Sequence, residues 1–447
     1  MSVLYDELAA DLEKFQVPGV SWAVIDGGEL VDTGCAGVVQ AGESAAVVPG
    51  TLFQACSISK PVAVFAMLRL VDRGLLDLDE DVNRRLTSWQ VPPTGHWQPV
   101  VTLRQLASHS AGLTVHGFPG YRQGAALPTT VQILDGTAPT NTFGVRVDIV
   151  PGTQFRYAGG GTVVLQQLLE DVTGTPFQQL ARELVLEPLA MSNSDYAQPL
   201  PPALHDKAAT AHDELGRPIP GRWHSYPELA AAGLWTTPTD LAKFATAVQQ
   251  TYAGADGALL SPALARELLT PQIAATDRIG GLGELGLGLF LGDGGVRFGH
   301  SGGNAGFRCH LLAYRDTGQG AAVMTNGDNG SWVVQRALAA IARTYEWDGY
   351  PQDIDEPDLP SDEALATLVG TYTLDGRLQL DVDRWGSGLE VTFAGQPPLR
   401  FSASSATRFA AVNTDTELEV RDDGSRLVFI QGGAELDCTR EPAGSRE

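Results

Sequence analysis

Strand-like stretches stand at both ends of a long segment that lacks them, and this constrains the fold more than any other feature. "GVSWAVIDGGELVDTGCAGV", residues 19–38, alternates around Asp26-Gly27-Gly28 and reads as a β-hairpin whose turn needs positive φ. Strands return only from Gly286 onward, where Leu311–Tyr314 and Ala321–Thr325 are short apolar runs bounded by turn residues. Between the two, a helix is predicted from about Ser57 to Arg73, closed by Gly74. Residues 76–275 then read as mostly helical, with long Gly-, Pro- and Thr-rich loops such as "HGFPGYRQGAALPTT". A last helix is expected from about Trp332 to Tyr345. Strands at both ends of a helical middle predict one sheet completed by distant segments, an α/β domain with a helical insertion.

The texture changes after "YPQDIDEPDLPSDE", a Pro- and acid-rich linker. Beyond it Leu378, Leu380 and Val382 alternate with polar residues, as do Leu389, Val391 and Phe393, Leu418 and Val420, and Leu427 and Phe429. Turns at "LDG", "WGSG" and "RDDGS" separate these runs. Short alternating strands at close spacing predict a small antiparallel barrel or sandwich. The boundaries read from sequence are 1–350 for the first domain, 351–362 for the linker and 363–447 for the second domain.

A formal charge of -23 over 447 residues excludes a phosphate-binding face, which needs dense Lys and Arg, so no nucleic-acid partner is expected. Cys35, Cys56, Cys309 and Cys438 are scattered, with no CxxC pair, and form neither a disulfide framework nor a zinc site. Leu4, Leu8, Leu12 and Phe15 share one face of an acidic amphipathic N-terminal helix, which lacks the basic and apolar regions of a signal peptide. No apolar run reaches membrane-spanning length. With Met1 taken as the native start, the expectation is a cytoplasmic protein with reduced thiols and no membrane partner.

Lysine occurs only at Lys14, Lys60, Lys207 and Lys243, and Lys60 follows Ser57 by three residues at the mouth of an apolar helix, "QACSISKPVAVFAML". At that spacing both side chains lie on one helical face. The serine hydroxyl would sit at the positive end of the helix dipole, and a lysine enclosed by Val62 and Phe65 would have its ammonium form disfavoured. That arrangement activates a serine. An N-cap serine and a snorkelling lysine would give the same letters, so S-x-x-K alone does not decide.

Further motifs accompany it in order: "FQACSISKPVAVFAMLRLVDRGLLDLDEDV", "VTLRQLASHSAGL", "PGTQFRYAGGGTVVLQQLLEDVTG", "AAGLWTTPTDLAKFA" and "FGHSGGNAGFR". Over about residues 10–345 the chain resembles the serine β-lactamase/penicillin-binding-protein superfamily, closest to its class C and esterase branch. The region 363–440 resembles the lipocalin-like barrel appended to some relatives. The resemblance implies a β-lactamase-like α/β fold, an antiparallel sheet with flanking helices and a helical subdomain, followed by the small barrel. It implies Ser57 as nucleophile, Lys60 as its base, and Tyr157 of "YAG" as a second base that protonates the leaving group. His300 and Gly302 take the K-T-G place, and the backbone N–H groups of Ser57 and Gly303 form the oxyanion hole. Gly159 replaces the asparagine of Y-x-N inside "AGGGT", which predicts a wider pocket and poor recognition of β-lactams.

Asn304 and the long-loop aromatics His116, Tyr121 and Trp223 are candidate substrate-lining residues, with core packing the alternative for each aromatic. "GLGELG", Gly281 to Gly286, reads as a loop or strand entry rather than a dinucleotide site, and His109 with Ser110 as a structural turn without chemistry. No cofactor or metal is expected. The function expected is a serine hydrolase acting on a small ester or amide. A transacylase or peptide cyclase that passes the acyl group to an amine or hydroxyl is the alternative. A lactamase, a D-peptidase or a non-catalytic penicillin-binding-like protein ranks lower.

Overall fold

The computed structural model describes residues 3–441, apart from 280, 353, 355–357, 377, 387, 394–397, 412–415 and 432–433. The chain divides into two compact units, 1–354 and 355–447. Part of the linker expected from sequence, residues 353 and 355–357, lies outside the described residues.

The first unit is built on antiparallel strands β1 (Gly19–Asp26), β2 (Glu29–Gly37), β3 (Phe53–Gln54), β4 (Trp235–Thr236), β5 (Ile273–Ile279), β6 (Leu282–Leu285), β7 (Phe290–Gly292), β8 (Arg297–Asn304), β9 (Phe307–Tyr314) and β10 (Gly320–Thr325). Eight of them form one sheet in the order β2-β1-β10-β9-β8-β7-β6-β5, while β3 and β4 pair separately. Trp22 on β1 stands opposite Val323 on β10, so distant segments do complete one sheet. "GLGELG" contributes β6 and the turn before it.

The helices are α1 (Val3–Lys14), α2 (Ser59–Asp72), α3 (Leu103–Ala107), α4 (Thr130–Asp135), α5 (Gly159–Thr173), α6 (Phe177–Ala181), α7 (Leu229–Ala232), α8 (Pro238–Ala253), α9 (Pro262–Leu268) and α10 (Gly330–Thr344). Leu8 and Leu12 of α1, Phe15 just after it and Ile341 of α10 pack with Val20, Trp22, Val24 and Val323 on one sheet face. Ala23, Ile25, Ala322 and Met324 point the other way, into a core shared with Phe65 of α2 and Phe244 of α8, whose rings meet edge-on at 5.7 Å. Period-2 alternation in β1 therefore sorts side chains between two cores, and every residue but Asp26 is buried. Arg336 on α10 closes α1 onto that helix through both carboxylate oxygens of Asp11, at 2.8 Å each.

The helical middle is narrower than the sequence suggests. Residues 76–158 contain only α3 and α4 as α-helix, and long helices begin at Gly159. Both short helices open with a capping box, Thr102 with Gln105 and Thr129 with Gln132. The loops satisfy their backbone against one another, as where Thr114 N–H donates to Arg146 O and Gly152 N–H to Ser110 O.

The second unit opens with α11 (Asp362–Leu368) and continues as strands β11 (Gly370–Leu374), β12 (Leu378–Trp385), β13 (Gly388–Phe393), β14 (Leu399–Ala403), β15 (Arg408–Ala411), β16 (Thr416–Arg421), β17 (Arg426–Gln431) and β18 (Ala434–Arg440). Pairing of β18 with β11 closes an eight-stranded antiparallel barrel. Among the described residues, closure leaves no barrel strand with an unpaired edge to recruit another chain. Tyr372, Leu380, Val382, Leu389, Val391, Phe401, Leu418 and Leu427 fill it, joined by Leu365 and Leu368 of α11.

Candidate active site

Ser57 lies in a single 3₁₀ turn, Cys56–Ile58, immediately before α2. The sequence places the helix start at Ser57, and the α-helix begins two residues later. Cys56 has a left-handed φ of +52°, rare outside glycine, which turns the chain sharply ahead of the serine. Ser59 holds the turn closed: its hydroxyl donates to Cys56 O at 2.6 Å and accepts Leu234 N–H at 3.0 Å. Lys60 Nζ reaches Ser57 Oγ at 2.9 Å and Ala231 O at 2.9 Å. Lys60 is only 3% exposed, and burial pushes its pKa down to about 7, with Cys56 opposing weakly. Once neutral, the amine can keep its bond to Ala231 O and turn its lone pair to the serine hydroxyl. That is the geometry of a base poised near neutral pH.

Tyr157 stands two residues before α5, with Lys60 Nζ 5.0 Å from its ring centroid. Three histidine rings surround it, His109 at 4.3 Å, His116 at 5.0 Å and His300 at 6.1 Å. His300, on β8, donates Nδ1–H to Ser301 O at 2.6 Å, which leaves Nε2 as a buried acceptor without a partner among the described residues. Burial, and then the charge of Lys60, push its pKa down to about 3, so the imidazole is neutral.

The β8 edge is open where it matters. β7 pairs with β8 only at Arg297–Gly299. Arg315 N–H donates to Val296 O, and antiparallel alternation carried from there makes Gly303 and Arg308 a non-hydrogen-bonded pair. Gly303 N–H therefore points away from β9, toward the unpaired edge. Gly302 faces the serine turn: a Cβ there would stand 2.6 Å from Ala55 O and 2.8 Å from Cys56 Cβ. Only glycine lets the strand approach so closely.

Other expected residues fall elsewhere. Asn304 is buried, and its amide donates to Gln54 Oε1 at 2.7 Å and Ala232 O at 3.2 Å, tying strand to loop with both donor protons spent. Tyr121 and Trp223 belong to the core. Tyr121 is 5% exposed and holds Thr140, while Trp223 packs edge-on against Trp235 at 5.2 Å. The glycines of "AGGGT" do not widen the pocket. A Cβ on Gly159 would stand 2.9 Å from the Phe118 ring and 3.0 Å from His116 O, so the 114–118 loop fills the space an asparagine would take.

Sequence reasoning missed Ala231, which acts through a carbonyl that any residue supplies. It also gave His109 no chemistry, yet the fold lays that ring on Tyr157. Glu228, three residues before Ala231, is fully buried with both carboxylate oxygens unpartnered among the described residues, and burial pushes its pKa up to about 8. Nothing in its sequence neighbourhood marks it. Among the described residues no group of His, Cys, Asp and Glu is arranged to hold a metal ion, and no helix is long and apolar enough to cross a membrane.

Residues 6–346 match the beta-lactamase family model. Penicillin-binding protein 4 of Amycolatopsis lactamdurans is 27% identical over 374 residues, 81% of this chain and 95% of that protein. Esterase EstB of Burkholderia gladioli is 29% identical over 178 residues, 38% of this chain and 44% of that protein. The octameric penicillin-binding protein homologue from Pyrococcus abyssi superposes with a TM-score of 0.61 at 21% identity, covering 98% of this chain and 100% of its own.

Proposed function

Because the chain belongs to the beta-lactamase family of serine hydrolases, we propose that it transfers the acyl group of a small ester or amide through Ser57. The observation that carries this is the 2.9 Å contact between Ser57 Oγ and a buried Lys60 whose pKa is about 7. Neutral Lys60 takes the hydroxyl proton as Oγ attacks the carbonyl carbon. The developing oxyanion is received by the N–H groups of Ser57 and Gly303, fixed donors that need no reorganisation. Tyr157 delivers its proton to the leaving oxygen or nitrogen as the C–O or C–N bond breaks and recovers one from the Lys60 ammonium, so both bases are reset when water or an amine resolves the acyl-enzyme.

Two features favour simple esters over penicillins and cephalosporins. The K-T-G place holds a neutral imidazole, so it offers a substrate carboxylate no charge. The place of the Y-x-N asparagine is filled by Phe118 and the His116 backbone, so the acyl amide of a β-lactam loses a directed partner. We therefore expect p-nitrophenyl butyrate to be turned over faster than nitrocefin. Ser57→Ala should lower ester turnover by roughly 10⁴-fold or more and abolish fluorophosphonate labelling. Faster nitrocefin hydrolysis, or labelling that survives Ser57→Ala, overturns the reading. Product analysis with and without added amine identifies the acceptor.

A further inference from the structure

We propose that His109 is a positioning residue that clamps Tyr157 in its reactive orientation; this rests on the reading of Tyr157 as the proton donor to the leaving group. His109 holds the tyrosine from both chain directions and across its face. Its carbonyl accepts Arg156 N–H at 2.8 Å, and its Nδ1 accepts Ala158 N–H at 3.2 Å. The two bonds bracket Tyr157 and fix the backbone on either side of it. Between them the imidazole lies on the phenol ring, centroids 4.3 Å apart and planes 36° apart. Accepting at Nδ1 places the ring proton on Nε2, so one neutral tautomer suffices for every contact.

The backbone argues independently that the side chain matters. α3 ends in a Schellman motif: Ser110 N–H donates to Gln105 O at 2.9 Å and His109 N–H to Leu106 O at 3.3 Å. His109 occupies the left-handed position of that motif, φ +50°, where glycine is the usual residue because it has no Cβ to strain. Helix termination alone would be better served by glycine. A histidine held there stands against its conformational preference, and its side chain meets Tyr157 across its face, Ala158 N–H through Nδ1 and the Phe155 ring edge-on at 6.4 Å.

The test is His109→Gly, which keeps the Schellman backbone and removes the ring and its acceptor. A merely structural histidine would leave turnover unchanged. The clamp predicts that kcat on p-nitrophenyl butyrate falls about 10- to 100-fold while KM stays within about twofold, as expected for a misaligned reacting group. His109→Asn tolerates left-handed φ and can offer Oδ1 to Ala158, so it should recover part of kcat, and it serves as the variant should glycine fail to fold. In a Tyr157→Phe background His109→Gly should change kcat by less than about twofold. Loss of kcat that persists undiminished in that background, or kcat within twofold of the parent in the single variants, overturns the clamp. Near-native activity of Tyr157→Phe alone overturns instead the reading of Tyr157, whatever His109→Gly does.

Discussion

Around the serine turn, ionisable groups are stripped of water; on the barrel the charged pairs lie in it. Lys60, His300 and Glu228 are at most 3% exposed, and burial pushes their pKa values to about 7, 3 and 8. On the barrel, Arg426 meets Asp437 at 2.5 Å and Arg400 meets Glu390 at 2.9 Å, all four side chains between 27% and 52% exposed. Ionisable side chains thus serve opposite ends. Removing water costs stability and tunes reactivity, whereas leaving it in place gives a soluble surface on which each pair is worth little.

The sharpest test of this contrast is Lys60→Met. Ester turnover should fall roughly 10²–10⁴-fold with the loss of the base, while the fold becomes more stable. The folded pKa lies near 7 against an ordinary value of 10.5, so between those values the unfolded chain binds a proton that the folded chain has released. Wild-type stability contributed by this group therefore rises with pH across that window, and the penalty is complete below about 7. Lys60→Met should exceed the wild type in unfolding free energy from urea melts at pH 6, on the order of a few kcal/mol, with the advantage vanishing toward pH 10.5. In the active protein kcat/KM should rise with pH through about 7. A destabilised Lys60→Met, or a flat profile, would break the comparison.

Glu228→Gln is the intermediate case. Here the folded pKa is raised, from an ordinary 4.5 to about 8, so the folded chain holds a proton the unfolded chain has lost. Its contribution is complete below about 4.5 and is lost as pH rises through about 8. Glutamine cannot ionise, so the variant should gain on the wild type from pH 5 to pH 9, by an order of a few kcal/mol at the upper end. Urea melts at several pH values measure this, and parallel curves for the two proteins would show that Glu228 titrates normally.

The smallest effect is expected on the barrel. Asp437→Asn removes one partner of an exposed cross-strand pair and should change the unfolding free energy from urea melts by no more than about 0.5 kcal/mol, less in high salt. A loss above about 2 kcal/mol would mean that barrel charges are as consequential as those at the serine turn.

What the sequence determined by itself is local in origin. The hairpin at Gly27-Gly28, the amphipathic stripe of α1, the period-2 runs of the barrel and the three-residue spacing of Ser57 and Lys60 depend on neighbours within a turn or a strand. Backbone geometry alone fixes where such side chains point. The sequence also implied that the ends of the first unit meet in one sheet, because strand-like patterning is legible only there. Tertiary structure decided everything that depends on what lies across a gap. Water exclusion by α2, α7 and β8, not the identity of Lys60, sets its pKa near 7. Whether Gly159 opens a pocket or admits a loop depends on Phe118, some forty residues away in sequence. Tyr121 and Trp223 look like loop aromatics in the chain and are core residues in the fold, because the loops that carry them pack on each other through the Tyr121–Ser225 backbone pair. His109 reads as the end of a short helix until the fold lays its ring on Tyr157. Burial and contact are properties of pairs of distant segments, and no window of sequence contains them.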